Sequence, residues 1–162
     1  ACLDADGGIP YDTFLSNPLI PDVKNLRMLN GYLYASTYHN TGAGDQVWRC
    51  QACDNTDWIK VLNNGNGNTN TRGMSGLEVL NNYLYFVVAN TTTGMEVWRT
   101  TNGTTWEQVG FGGFGDSRNI APYWDNSVIV SNNNLYVGTW NNATGGQVWQ
   151  TANLLYLPLI MR

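Results

Sequence analysis

Charge is scarce in this chain of 162 residues. Eight Lys and Arg and twelve Asp and Glu leave 12% of residues charged, with a formal net charge of −4. A chain so poor in cations offers no basic face to a nucleic-acid backbone, which excludes that class of partner. Histidine occurs once, as His39, which removes Ser-His-Asp triads and multi-histidine metal sites. No apolar run approaches the 18 residues of a membrane helix; the most apolar stretch, residues 154–161, is eight long and contains Pro158. The opening ACLDADGG has no Met, basic segment or apolar segment, and reads as a mature chain whose targeting peptide is gone. What abounds is Asn, Gly and Thr: 22, 18 and 16 residues, together 56 of the 162. Asn and Gly tolerate φ > 0, so this composition predicts many tight turns and no long helices. A hydrophobic share of 43%, with seven Trp and nine Tyr, excludes disorder. Together with only two lysines, Lys24 and Lys60, the composition fits a β-rich extracellular protein.

Self-similarity is the strongest signal in the chain. Leu33-Tyr34, Leu84-Tyr85 and Leu135-Tyr136 recur at a spacing of 51, and Val47-Trp48, Val97-Trp98 and Val148-Trp149 at 50 and 51. Upstream, KNLRMLNGYLYAST, SGLEVLNNYLYFVV and NSVIVSNNNLYVGT align without gaps. The reading is a repeat at 25–75, a second at 76–125 and a partial third at 126–151. Residues 1–24 form an N-terminal tail or clasp, and residues 152–162 an apolar C-terminal strand. Within a unit, short β-branched and aromatic runs read as strands. Asn30-Gly31, Asn81-Asn82 and Asn132-Asn133 mark type I′ hairpins between them. Four antiparallel strands at a period near 50 predict an all-β fold of three propeller-like blades.

The segment VWRTTNGTTWEQV (97–109) resembles repeats of secreted bacterial β-propeller proteins, with blades of kelch-like length. It is similar to the Asp-box, the S-x-D-x-G-x-x-W turn of sialidase-type propellers, with Asn102-Gly103 and Trp106 one residue closer than that pattern. The first copy, VWRCQACDNTDWIKV, carries two extra residues, and the third lacks the turn and its Trp. The resemblance implies an architecture and no catalytic activity.

Three blades are too few to close a ring alone. Exposed blade faces and edges are an aggregation hazard unless something covers them. The cover is a fold-back of residues 1–24, a closed oligomer such as two chains in a six-bladed ring, or open head-to-tail assembly. The candidate assembly strand is Leu154, Leu155, Tyr156, Leu157, Leu159 and Ile160, read either as the last strand of its own blade or as a donor to another subunit.

Among candidate site residues, Cys50 and Cys53 lie at a predicted turn rather than a helix N-terminus, so a structural disulfide is expected there instead of a redox motif. Cys2 is left unassigned. The acids Asp4, Asp6, Asp54, Asp57, Glu78, Glu96 and Glu107 qualify for hydrolytic chemistry by type alone, and none persists across the copies. DADGG and NGNGNTN miss the EF-hand spacing and read as solvated turns. No catalytic residue, metal or cofactor is therefore expected. Sequons place candidate glycosylation at Asn90, Asn102 and Asn142, all read as accessible, with Asn90 and Asn142 in equivalent loops. Trp48, Trp98 and Trp149 repeat at one position and read as core. Trp124 and Trp140 do not repeat, and are the candidate surface aromatics. The expected function is that of an extracellular, non-catalytic structural protein that self-assembles through apolar terminal strands and blade edges, its partner a further copy of itself. The alternative is a carbohydrate-binding propeller lectin with glycans as partners.

Overall fold

A computed structural model describes residues 22–38, 45–54, 57–68, 70–122, 126–152 and 155–159. The tail up to residue 21, with Cys2, lies outside the described residues, as do His39, Trp124, Leu154 and Ile160. The fold is all-β: three separate four-stranded antiparallel sheets, each an up-and-down meander, none closed on itself. The first holds β1 (Asp22–Leu29), β2 (Tyr32–Tyr38), β3 (Gln46–Cys50) and β4 (Ile59–Leu62). The second holds β5 (Thr71–Leu80), β6 (Tyr83–Asn90), β7 (Glu96–Thr100) and β8 (Glu107–Gly110). In the third are β9 (Val128–Ser131), β10 (Asn134–Gly138), β11 (Val148–Ala152) and β12 (Leu155–Leu159). A single helical turn, α1 (Asn64–Gly67), precedes β5, and a 3-10 turn at Gly112–Gly115 follows β8.

The sequence dictates the register at the hairpin tips. Asn30 and Gly31 have φ of 51° and 79°, Asn81 and Asn82 50° and 61°, and Asn132 and Asn133 47° and 58°. Both central residues of a type I′ turn need positive φ, and its twist matches that of the flanking strands. The tips therefore pin Leu29 opposite Tyr32, Leu80 opposite Tyr83, and Ser131 opposite Asn134. A register shift also repeats at Val47/Trp48 and at Val97/Trp98.

The third unit has its fourth strand, which the missing turn-Trp pattern concealed. Leu155–Leu159 pairs antiparallel with β11, with Trp149 opposite Pro158 and Thr151 opposite Tyr156. The C-terminal segment is thus placed as the outer strand of its own sheet. Proline is tolerated at such an edge, where its missing N–H breaks no ladder.

Two apolar layers hold the stack together. Between the first and second sheets lie Leu29, Tyr34, Val47 and Leu62 on one side and Met74, Leu77, Leu84, Phe86 and Val88 on the other. Between the second and third sheets, Leu80, Tyr85, Val87 and Val97 meet Val128, Leu135 and Val137. Alternation along β6 explains both layers. Leu84, Phe86 and Val88 point one way and Tyr85, Val87 and Ala89 the other, so the middle sheet is apolar on both faces.

Candidate functional site

The alternation gives each sheet a leading and a trailing face. The leading face carries the first Leu of the Leu-Tyr pair, and the trailing face carries the Tyr. Every internal junction sets the trailing face of one unit against the leading face of the next. Leu26, Leu77 and Val128 are the same repeat position, on the inner strands β1, β5 and β9, and share the leading face. Leu77 is 0% and Val128 3% exposed, each covered by the sheet before it, whereas Leu26 is 51% exposed. Met28 repeats the contrast: it is 58% exposed, while its counterparts Val79 and Val130 pack against the two layers. At the other end, Ile129 lies on the trailing face opposite Tyr136 and is also exposed. Its counterparts Arg27 and Glu78 form an ion pair between the first and second sheets, with nitrogen–oxygen distances of 3.1 and 2.6 Å. The count of three blades predicts open faces, but it does not say which side chains line them, and Leu26 is of the same apolar type as its buried counterparts.

Polar contacts fix how one unit docks on the next. The β7–β8 turn of the second unit rests on the trailing face of the first. There Asn30 Nδ2 donates to Thr101 O (3.0 Å) and Arg49 Nη1 to Asn102 O (2.6 Å). Gly103, at φ +74°, lies so close to the Tyr34 ring that a Cβ would collide with it. Trp106 reaches back to donate from Nε1 to Val61 O (3.2 Å). Thr100 Oγ1 accepts from Gly103 N (2.9 Å), and Asn102 Oδ1 accepts from Thr104 N and Thr105 N (2.9 Å each).

In the first unit the corresponding turn is built differently. Cys50 and Cys53 form a disulfide, across the same three-residue step that Thr100 and Gly103 span by a hydrogen bond. Asp57 Oδ2 accepts from the backbone N–H groups of Gln51, Ala52 and Cys53 at 2.6–3.1 Å. Loss of water raises the Asp57 carboxyl, but the hydrogen bonds from Gln51, Cys53, Ala52 and Asp54 together outweigh it and leave the pKa below the usual value. Asp57 is thus a turn cap rather than half of a carboxylate pair. Glu96 is likewise committed to structure: it is buried and accepts from Asn90 Nδ2 (2.7 Å) and Trp98 Nε1 (3.0 Å). Trp48 bonds Gln46 in the same way at 3.1 Å, and Trp149 stacks on Phe114 with ring centroids 4.5 Å apart. Glu107 pairs with Arg99, and Glu78 with Arg27.

A second polar cluster ties the long loop after β8 to the third unit. Asp116 accepts two hydrogen bonds from the Arg118 guanidinium and one from Asn141 Nδ2. The Arg118 side chain foremost, with help from its backbone N–H and Asn141, holds Asp116 down at a pKa of about 2. Asn119 is buried and donates to Gly113 O and Gln147 Oε1. Nearby, Trp140 is bridged to Ile120 through the backbone and leaves its side chain 48% exposed. Among the described residues, no group of three His, Cys, Asp or Glu comes together as metal ligands do, and no helix is long and apolar enough to cross a membrane.

The sequons need one correction. Asn90 is fully buried; its amide nitrogen is bound to Glu96 and its oxygen accepts from Thr92 N and Thr93 N. A glycan has no room on that nitrogen. The residue equivalent to Asn90 is Asn141, which accepts from Ala143 N and Thr144 N in the same way, so Asn142 matches Thr91 instead. Asn102 and Asn142 are exposed.

No family model matches the chain, and no curated protein matches it. Among solved structures, it is similar to a GH32 β-fructofuranosidase of Bombyx mori, BmSUC1, at 12% identity and a TM-score of 0.45. The match covers 88% of this chain and 36% of that one, so the chain spans about a third of that protein's length. The expectation that the chain is not an enzyme does not hold as an exclusion, since a lone histidine and unrepeated acids do not rule out catalysis; the matched protein is itself an enzyme. At such low identity the likeness carries no catalytic residue over to this chain.

Proposed function

We propose that the chain is an extracellular self-assembling repeat protein, whose copies add head to tail so that the trailing face of one third sheet covers the leading face of the next first sheet. The observation that carries this reading is the exposure of Leu26, whose counterparts Leu77 and Val128 are buried, and of Met28, whose counterparts Val79 and Val130 are partly buried against the junctions. Covering the exposed half of these two apolar side chains releases on the order of 1 kcal/mol each. A head-to-tail contact of this kind is heterologous, and gives a ring where its rotation closes and a filament where it does not. The Cys50–Cys53 disulfide accords with an oxidising, extracytoplasmic location. Assembly by donation of the C-terminal strand is less economical, because β12 would first have to leave β11.

Light scattering on size-fractionated protein tests the reading. The unaltered chain is expected to run as an oligomer, and Met28→Glu, which puts a carboxylate on the leading face, as a monomer with unchanged circular dichroism. A concentrated, unaltered chain that stays monomeric would refute it.

Trp140 supports a second reading, carbohydrate binding, since an exposed indole offers a stacking face to a sugar ring. On a glycan array Trp140→Ala should then lose at least about 1 kcal/mol of binding, the scale of one aromatic stacking contact. An array on which the unaltered chain binds nothing removes this reading.

A further inference from the structure

We propose that the disulfide-closed turn after β3 is the docking element by which one copy seats on the next, and that its receptacle is formed by Asn132, Tyr136 and Gln150 on the trailing face of the third unit. The inference rests on the head-to-tail reading and adds its register and contacts.

The template is the junction inside the chain. There the turn of the following unit presents two backbone carbonyls, Thr101 O and Asn102 O, to donors at the tip of the first hairpin and on β3. A tight left-handed residue, Gly103, rests on Tyr34. The repeat carries all three receptacle positions into the third unit. Asn132 occupies the place of Asn30 in a type I′ tip of the same φ pattern. Tyr136 stands at the position of Tyr34. Gln150 lies opposite Tyr136 in the register that sets Arg49 opposite Tyr34. Gln replaces Arg here but keeps an N–H donor on a long side chain, which is what a carbonyl partner requires. None of the three is buried.

The knob is conserved in kind as well. Gln51 and Ala52 are exposed and stand where Thr101 and Asn102 stand, and Cys53 has φ of 58°, the left-handed conformation of Gly103. In the second unit that turn is braced by the body of the first. In the first unit the disulfide and the three N–H groups on Asp57 brace it from within, so it holds its form before any partner arrives. Preorganisation of this sort lowers the entropy lost on docking. The contacts assigned to the junction between copies are Asn132 Nδ2 to Gln51 O and Gln150 Nε2 to Ala52 O; Cys53 carries the Cβ that Gly103 lacks, so the outer end of the Tyr136 ring swings aside from the place Tyr34 holds.

Sedimentation equilibrium on the full chain separates this proposal from the stacking on which it rests. Gln150→Glu removes the donor and turns a carboxylate toward a carbonyl, so it should raise the dissociation constant about tenfold. Gln150→Arg recreates the Arg49 arrangement and should lower it about threefold, since a charged donor bonds more strongly. Should Gln150→Glu fail to fold, the Arg variant decides the matter. If Met28→Glu dissociates the assembly while both Gln150 variants stay within about twofold of the unaltered chain, the turn docking is overturned and the stacking stands. If the unaltered chain does not associate at all, both fall.

Discussion

Phe86→Ala is expected to lower the stability of the chain by about 3–5 kcal/mol, the range for deleting a buried phenyl ring that its neighbours cannot replace. Phe86 sits mid-way along β6, fully buried, with Leu84 and Val88 beside it on the same face and Leu77 across the ladder. Its ring meets Trp106 edge to face at a centroid distance of 6.0 Å, and Trp106 is itself tied to the first sheet through Val61 O. The cavity would therefore open inside the junction between the first two sheets, bounded on both sides by hydrogen-bonded ladders that resist collapse. Urea unfolding should show a lower midpoint with an unchanged slope. A loss below about 1 kcal/mol would mean that the junction repacks and that the sheets are less firmly seated than described. Phe111, 62% exposed, is the internal control, and its replacement by Ala should fall within about 0.5 kcal/mol of the unaltered chain.

Gly94→Ala should cost about 3 kcal/mol or more, whereas Gly145→Ala at the equivalent position should cost only about 1 kcal/mol. The two glycines share a left-handed φ, 94° and 90°, and each donates its N–H to the carbonyl of the Asn four residues earlier. Backbone strain is therefore common to both. The surroundings differ. A Cβ on Gly145 meets nothing within 4 Å, while one on Gly94 would lie 2.7 Å from Gly113 N. That nitrogen cannot retreat, because it donates to Met95 O (3.1 Å), and Gly113 in turn is pressed against the backbone of Asn119. The difference between the two substitutions, read from thermal or urea unfolding, isolates the close crossing of the β6–β7 turn and the loop after β8. Equal costs would show that this crossing yields.

Much of the fold is legible in the sequence because turn chemistry is so explicit. Asn-Gly or Asn-Asn at each hairpin tip fixes both the turn and the strand register, and the gapless copies of the first two strands lay out the three sheets. The fourth strand of the third unit was hidden by substitution: residues 155–159 share neither the turn nor the Trp of their counterparts, and only their pairing with β11 reveals the strand. The burial of Asn90 is equally invisible, since a sequon states what can be modified and not where the amide points. Nor does any local pattern link Arg27 to Glu78, which stand 51 residues apart and meet only when two units stack. That some blade face stays open follows from the count of three, but the residues lining it do not. Leu26 and Met28 look like their covered counterparts, and only the absence of a preceding sheet among the described residues distinguishes them.

Among the described residues, the middle sheet alone has neighbours on both faces, and this bears on how the molecule comes apart. In a linear stack each unit draws stability from its own strands and from the junctions it shares, so the centre holds two such couplings and each end one. Amide hydrogens of β6, with Val87, Val88 and Ala89 fully buried, should exchange last. Those of the outer units should exchange through openings that leave the centre intact. Every added copy would convert an end into an interior, so lengthening the array would raise the protection of units that touch no newcomer.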